Sequence, residues 1–472
     1  MAIDTKHPLT RPVFKRISRL VDSMAVEAYV VGGYVRDYYL RRPSNDIDIV
    51  VVGSGVDVAE ALGKELKTNV SIFRRFGTAM LHADGLEVEF VGARKESYTP
   101  DSRKPSVEEG TLDDDQHRRD FTINAMAWSL NGATFGELVD PFEGMYDLED
   151  CLIRTPCDPD ITFSDDPLRM MRAVRFATQL GFDIVEETFE AIERNASRIE
   201  IISQERILIE LNKIMLSPRP SMGFELLMQC GLLKLIFPEI HALAGVEKVG
   251  KHAHKDNFKH TMAVLDNVAQ KSNDLYLRWA ALLHDVAKPR TKAYDPKIGW
   301  TFHGHETLGS KMVPKIFRRF TLPLGEPMKF VQKLVFLHLR PIILSEDAVT
   351  DSAVRRLLFE AGDDVEALMI LCRADITSGI ESKVKRYLAN FELVESKMKD
   401  LEERDRVRNF QPPISGDIIM ETYNIAPCAA IGQIKEIIKN AILDGEIPNE
   451  YQAAYELMEK LATERGFTKQ AE

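Results

Sequence analysis

Cysteine is scarce in this sequence. The five present, Cys151, Cys157, Cys230, Cys372 and Cys428, form no Cys-x-x-Cys pair and no even set. A disulfide framework is therefore excluded, and a reducing compartment is the simplest expectation. Long hydrophobic runs are missing too, since none nears the ~20 apolar residues that span a bilayer. The opening stretch "MAIDTKHPLTRPVFKRISRL" has no apolar h-region, so no signal peptide is expected and no membrane partner. Together these absences point to a soluble, cytoplasmic protein. An excess of positive charge is also lacking. With 61 basic and 73 acidic residues the net charge is −12, so a nucleic-acid role would need a local basic surface. There is no strict repeat and no low-complexity segment.

What is present is length and a change of pattern. A chain of 472 residues, 44% hydrophobic, is too long for one core and suggests about three domains. From about residue 25 to 150, "AYVVGG", "DIDIVVVG", "NVSIF", "TAMLHA" and "LEVEFVGA" read as strands between Gly, Pro and Asp turns. A helix is expected from Val35, and another at or just after "FTINAMAWSL". The polar stretch "RKESYTPDSRKPSVEEGTLDDDQHRR" reads as a mobile loop. From Asp165 onward nearly everything reads as helix, and "DDPLRMMRAVRFATQLG" and "QERILIELNKIMLS" carry apolar faces. The fold class expected is α+β, a head with a small mixed β-sheet followed by an all-α region.

Within "VVGGYVRDYYLRRPSNDIDIVVV", Val30 to Val52, two like charges stand in an otherwise apolar strand. Residues two apart on a strand share a face, so Asp46 and Asp48 project together. Such a pair repels unless something neutralises it, and it suits a hard divalent cation such as Mg²⁺. Gly32 and Gly33 form a turn that exposes backbone before a helix start, a cradle for phosphates to which Arg36 adds charge. The strand "LEVEFV" offers Glu87 and Glu89. Glu89, in the more strand-like surroundings, is preferred as the third carboxylate of a two-metal site for phosphoryl displacement. A bare Asp-x-Asp is otherwise common on solvated edge strands.

Four motifs in order, "VVGGYVRD…NDIDIVVVG", "RRDFTINAMA", "DPFEGMYDL" and "DDPLRMMRAVRFA", resemble those of the class II tRNA nucleotidyltransferase and poly(A) polymerase family, of which CCA-adding enzymes are members. The resemblance is strong from about residue 25 to 220 and weaker beyond. It implies a nucleotidyltransferase head (residues 1–150), a nucleotide-recognising neck (151–245), a body (246–385) and a tail (386–472) that hold tRNA. It also implies use of CTP and ATP without a nucleic-acid template. By the same resemblance Arg118, Arg119, Asp120 and Asn124 contact the ribose and phosphates of the incoming nucleotide. Asp166 and Arg169 are three apart, hence expected on one helix face. Cytosine and adenine both present an amino donor beside a ring-nitrogen acceptor. A carboxylate and a guanidinium would take either and leave guanine or uracil unpaired. Arg172, a turn further, holds that pair or a phosphate. The family motif begins Glu-Asp, and here Asp165 shortens the first residue by one methylene. A stripe of Arg and Lys from Arg169 to Arg219 reads equally as a phosphate-binding face and as a solvated one.

A second constellation follows. "NFKHTMAVLD", "LRWAALLHDVAK", "WTFHGHETLG" and "CRADITSG" place His260, His284, Asp285 and Asp375 in the order of the HD phosphohydrolase superfamily, which they resemble. Imidazoles mixed with carboxylates suit a divalent transition metal or Mg²⁺ and activate water on a phosphate. His303, His305 and His338 extend the site toward a second metal, with His305 preferred. The leading expectation is CCA addition to tRNA. CC-only, A-only or poly(A) addition, an HD phosphohydrolase, and a non-catalytic RNA-binding protein are its competitors.

Overall fold

The computed structural model describes residues 9–74, 77–99, 102–249, 252–253, 256–346, 350–377, 381–405 and 411–468. The chain divides into two compact units, Met1–Pro238 and Glu239–Glu472.

The first unit begins with helix α1 (Pro12–Ser23) and a seven-stranded sheet of order β3-β4-β5-β2-β1-β8-β9. Its strands are β1 (Glu27–Val31), β2 (Asp46–Val52), β3 (Val70–Phe73), β4 (Thr78–Ala83), β5 (Leu86–Gly92), β8 (Ala127–Ser129) and β9 (Leu138–Val139). All five strands expected from β-branched runs are present. The β2–β5 pair is parallel and the other pairs are antiparallel, so the sheet is mixed. Alternation along β2 sends Ile47, Ile49 and Val51 into the core and leaves Asp46 and Asp48 exposed. Helix α2 (Gly33–Tyr39) follows β1 directly, and α3 (Gly55–Leu66) packs on β4 and β5.

Two expectations are corrected. The polar stretch after β5 is an antiparallel ribbon, β6 (Arg94–Thr99) with β7 (Ser102–Glu109), then α4 (Leu112–His117); its middle, residues 100–101, lies outside the described residues. A two-stranded ribbon need not bury one face, so its sequence lacks the apolar alternation that marks a strand. "FTINAMAWSL" is a single turn, α5 (Thr122–Ala125), followed by β8, because a short buried apolar run carries no period that separates helix from strand.

After α6 (Gly144–Glu149), the parallel strands β10 (Leu152–Ile153) and β11 (Asp183–Ile184) bracket α7 (Pro159–Asp165) and α8 (Leu168–Leu180). Helices α9 (Glu186–Asn195), α10 (Gln204–Met215), α11 (Pro220–Gln229) and α12 (Leu232–Ile236) complete the unit. Asp166 is not on a helix. Pro167 disfavours helical backbone in the residue before it, and Asp166 is extended at φ −133°, ψ 98°. Asp166 and Arg169 instead share a turn, closed by the Arg169 amide on the Asp166 carbonyl at 2.9 Å.

Among the described residues the second unit is helical apart from two small antiparallel strand pairs. After α13 (Pro238–His241) come strands β12 (Lys248–Val249) and β13 (His252–Ala253), then α14 (Asn257–Ala269), α15 (Leu275–Leu283) and α16 (Lys288–Thr291). Strands β14 (Ala293–Asp295) and β15 (Gly299–Thr301) lead to α17 (His305–Arg319), α18 (Glu326–Leu337), α19 (Leu339–Glu346), α20 (Asp351–Ala361) and α21 (Val365–Asp375). Four further helices, α22 (Glu381–Asp405), α23 (Gly416–Tyr423), α24 (Ala429–Asp444) and α25 (Tyr451–Glu464), end the chain. The core here includes Trp279 edge-on to Phe317 at 6.1 Å. The guanidinium of the buried Arg278 donates to the Ala269 and Ser272 carbonyls at the end of α14, which supplies the partners a buried cation requires. No described helix is long and apolar enough to cross a membrane.

Candidate functional site

The carboxylates of β2 and β5 come together through sheet register. Asp46 stands beside Glu87 and Asp48 beside Glu89. Glu87 is exposed and faces His82 at 3.5 Å, whereas Glu89 is half-buried. Lost hydration raises the pKa of Asp48; Arg119 opposes the rise, and Asp46 and Asp115 add to it. Glu89 is raised in the same way, by lost hydration and by Asp48. Asp48 and Glu89, both raised, stand with Asp46 as a set of hard oxygen donors suited to a divalent cation. Gly32 closes the other side at φ 73°. A Cβ there would lie 3.0 Å from Arg119 Nη1 and 3.7 Å from Asp48 Oδ2, so only glycine leaves the hollow open.

Behind this hollow the arginines of "RRDFTIN" are held in place. Asp115, fully buried on α4, accepts from Arg118 Nη2 and from Arg119 Nε and Nη2, the latter two at 3.0 and 2.9 Å. Burial alone would raise the Asp115 carboxyl, but Arg119 and Arg118 outweigh it and hold it low. Sequence reading missed this residue. Its signal was the spacing to Arg118 and Arg119, one helical turn. Asp120 is buried and accepts from Asn124 Nδ2 at 3.0 Å and Arg172 Nε at 2.6 Å. Asn124 Oδ1 in turn accepts from Arg36 Nη1 at 2.8 Å, and Arg36 also grips Asp37. Arg36 is thus 8% exposed and buttresses the network from beneath.

Burial pushes the Asp120 carboxyl up, but Arg172 and Asn124 more than reverse this and bring it to about 2. A depressed pKa contributes stability that is present above the unfolded value of about 3.9 and lost as pH falls toward the folded one. Asp120→Asn is expected to lower stability at neutral pH by about 2 kcal/mol and to flatten the loss of stability between about pH 5 and 2. Urea melts of both proteins across that range read the slope; an unchanged slope would remove the ion pair from the account.

The carbonyls of Arg118 and Thr162 accept from Arg169 Nη2 and Nη1 at 2.6 and 3.4 Å. Asp166 uses Oδ1 to accept from the Leu168 amide, and Oδ2 faces Arg206 Nη2 on α10 at 3.1 Å. Asp166 and Arg169 therefore lie in one turn without binding each other. Arg206 is a residue that the motif reading passed over. Several residues of the basic stripe already have partners. Arg175 pairs with Glu210 at 2.5 Å and Arg194 with Asp160 at 2.8 Å, while Arg198 donates to the Ser164 carbonyl at 2.8 Å.

In the second unit the histidines and aspartates of the HD pattern converge. His260 Nε2 lies 2.9 Å from Asp375 Oδ1 and 3.4 Å from His284 Nε2. Asp285 stands between two groups. Its Oδ2 is 3.3 Å from His284 Nε2, and its Oδ1 is 3.2 Å from His305 Nε2 and 3.9 Å from His338 Nε2. Two metal-competent clusters result, His260–His284–Asp285 and Asp285–His305–His338. His305 and His338 both take part, while His303 is exposed and stays outside. His338 had no motif around it, only an apolar helix.

The backbone orients three of these imidazoles. His284, His305 and His338 each direct Nδ1 at a backbone carbonyl, at 2.7, 2.8 and 2.7 Å. A carbonyl can only accept, so Nδ1 carries a proton and Nε2 is the nitrogen turned into the cluster. Burial pushes His338 down to about 4, so it is neutral, whereas at His284 burial is outweighed by Asp285 and Asp375, which raise its pKa. His305 and His338 face each other with Nε2 atoms 3.4 Å apart, beside Asp285 Oδ1. Lys288 Nζ closes on Asp285 Oδ2 at 2.6 Å. Beside the second cluster opens a cavity of about 580 Å³, lined by Lys288, Phe302, His303, His305, Phe336 and Arg340 among others.

Three family profiles match the chain: the poly(A) polymerase head domain over residues 28–154, the probable RNA and SrmB-binding site of polymerase A over 181–243, and the HD domain over 257–380. The multifunctional CCA protein of Methylococcus capsulatus is 34% identical over 367 residues, 74% of this chain and 81% of that one. That of Shewanella frigidimarina is 34% identical over 306 residues, 63% of this chain and 70% of that one. Among solved structures, a CCA-adding enzyme with CTP aligns at a TM-score of 0.63 and 24% identity, covering 95% of this chain and 94% of that one. A tRNA nucleotidyltransferase with primer tRNA and an incoming ATP analogue aligns at a TM-score of 0.58 and 24% identity, covering 80% of this chain and 99% of that one. These structures share the fold.

Proposed function

Since the chain belongs to the multifunctional CCA protein family of nucleotidyltransferases, we propose that it adds C, C and A to the 3′ end of tRNA. The donors are CTP and ATP, no nucleic-acid template is read, and the cytoplasm is the place of work. The observation that carries this reading is the register of Asp46 and Asp48 beside Glu89, facing the Gly32 backbone and Arg119. In the reaction the 3′-hydroxyl oxygen bonds to the α-phosphorus of the nucleotide. The bond to the β-phosphate bridging oxygen breaks, and pyrophosphate leaves. Asp46, Asp48 and Glu89 would hold Mg²⁺, which supplies activation of the hydroxyl and neutralises the triphosphate. Arg119, kept in place by Asp115, meets phosphate charge, and Asp120, Asn124, Arg172 and Arg36 keep that wall rigid. Arg118 lends its backbone carbonyl to Arg169. Asp166 accepts from the amino group of cytosine or adenine, and Arg169 donates to the ring nitrogen. A tRNA transcript lacking its 3′ CCA, incubated with CTP and ATP separately and together and then sequenced, tests the reading. CC from CTP alone and a terminal A with both is expected. A alone, or long A tails, would overturn the product assignment.

Arg206 is a positioning residue under this reading. Its Nη2 holds Asp166 Oδ2 at 3.1 Å and fixes the direction in which the carboxylate presents its acceptors, which is what repels the carbonyl oxygens of uracil and guanine. Arg206→Gln is expected to cut the CTP-over-UTP preference in kcat/KM about tenfold, equivalent to about 1.4 kcal/mol. Arg206→Lys should restore part of it. An equal loss for all four nucleotides would make the role merely structural.

The convergence of four imidazoles on Asp285 supports a second activity, metal-dependent hydrolysis of a phosphate ester. There water oxygen bonds to phosphorus and the ester oxygen leaves with a proton. His260, His284, Asp285, Asp375, His305 and His338 would hold divalent transition metals, which supply a hydroxide at neutral pH.

A further inference from the structure

The segment between Asp285 and His305 joins the donors of the second cluster, yet most of it makes no part of either cluster. It carries four basic residues, Lys288, Arg290, Lys292 and Lys297, against a single acidic one, Asp295, in a chain of net charge −12. Its centre is the β14–β15 hairpin, in which Tyr294 and Trp300 oppose each other in register. Their rings meet edge to face at 5.2 Å, and Tyr294 and Ile298 are exposed.

Both ends of the hairpin lead into the cavity. Before β14, Lys288 lines it; after β15, Phe302, His303 and His305 do. Thr291 Oγ1 donates to the Phe302 carbonyl at 3.4 Å and ties the two ends together. The carboxylates near the hairpin are already used. Asp295 Oδ1 accepts from the amides of Lys297 and Ile298 at 2.7 and 3.3 Å, and Glu247 pairs with Lys292, whose ammonium lies 5.2 Å from the Trp300 ring centroid. Arg290 and Lys297 are exposed. Farther along the cavity wall, Arg340, paired with Glu360 at 2.8 Å, lies 5.7 Å from the ring centroid of Phe336, a half-exposed aromatic.

Exposed cations interleaved with aromatic rings, leading to a metal-competent pocket, match the chemistry of an unpaired polynucleotide. Its phosphates need cations and its bases need ring faces. A duplex keeps its bases stacked and could use only the cations. We propose that the β14–β15 hairpin is a docking surface for unpaired RNA and delivers the RNA end to the cavity beside His305 and His338. This rests on the hydrolytic reading of that pocket, and it adds a partner and the residues that recognise it.

The test uses the full chain and a short fluorescein-labelled unpaired RNA ending in a 3′-phosphate. Anisotropy is measured for the wild type, for Arg290→Glu/Lys297→Glu and for Tyr294→Ala, with CCA addition by the other unit as the control for folding. The charge reversal is expected to weaken binding at least about tenfold and to reduce the salt dependence; the tyrosine change should weaken it by about fivefold. With Mn²⁺ present, KM for release of phosphate from the RNA should rise with kcat unchanged. Unaltered binding in both variants would overturn the proposal, as would equal affinity for the same strand in a duplex. Wild-type hydrolysis of p-nitrophenyl phosphate reports on the pocket separately. If that is absent, the hydrolytic reading fails while the anisotropy still decides whether RNA docks.

Discussion

Asp48→Asn is expected to lower nucleotide addition by about a thousandfold or more, since charge stabilisation at a transferring phosphoryl group is worth several kcal/mol. Loss of activity alone could reflect a damaged fold, and here stability separates the two cases. The pKa of Asp48 is raised, so the folded state disfavours its charge. Removing that charge relieves repulsion with Asp46 and with Glu89, whose own pKa Asp48 raises. In metal-free buffer the variant should therefore melt at the wild-type temperature or a little above it. Asparagine has the size of aspartate, so no cavity opposes the gain. The outcome to look for is addition at background with stability kept or increased. A variant that adds CTP normally would show that β2 does not carry the reaction. One that is inactive and strongly destabilised would show that Asp48 serves the sheet.

The second large effect concerns Asp285, the member common to both clusters of the other unit. Asp285→Ala is expected to remove metal from both, measured by elemental analysis after dialysis, and to bring phosphate-ester hydrolysis to background. His338→Ala leaves His260, His284, Asp285 and Asp375 in place and should spoil only one cluster. Because Lys288 pairs with Asp285 at 2.6 Å, the alanine variant strands a cation. Asp285→Asn keeps the shape and tests the charge alone. CCA addition should survive in all three. If Asp285→Asn kept its full metal content, the shared-donor geometry would not describe the bound state.

The sequence reached the candidate ligands more easily than the residues around them, for a physical reason. Period-two alternation alone puts Asp46 and Asp48 on one face, and the strand run before them predicts β2. The partner strand of β2 is not local. The parallel register that sets Asp48 against Glu89 brings together strands separated by α3, β3 and β4, and only the folded sheet shows it. Helix periodicity placed Asp166 and Arg169 on one face, but Pro167 overrode it and made a turn. Asp115 and Arg206 act on residues already singled out, yet acidic and basic residues on helices read as ordinary surface until burial is known. His338 was one histidine in an apolar helix. Its importance comes from a carbonyl on Nδ1 and a neighbour on Nε2, neither of which has a spacing rule.

One side chain has a mechanical consequence. Arg169 bridges the carbonyl of Arg118, just after α4, and that of Thr162 in α7, so its guanidinium is a strut between the sheet-bearing part of the first unit and its helices. On the role proposed for Arg169, turning that strut toward a base would lengthen or break at least one of these bonds. Choosing a nucleotide and loosening the joint between the two parts are then the same displacement. A base that gives Arg169 no better acceptor than the Arg118 carbonyl leaves the joint braced.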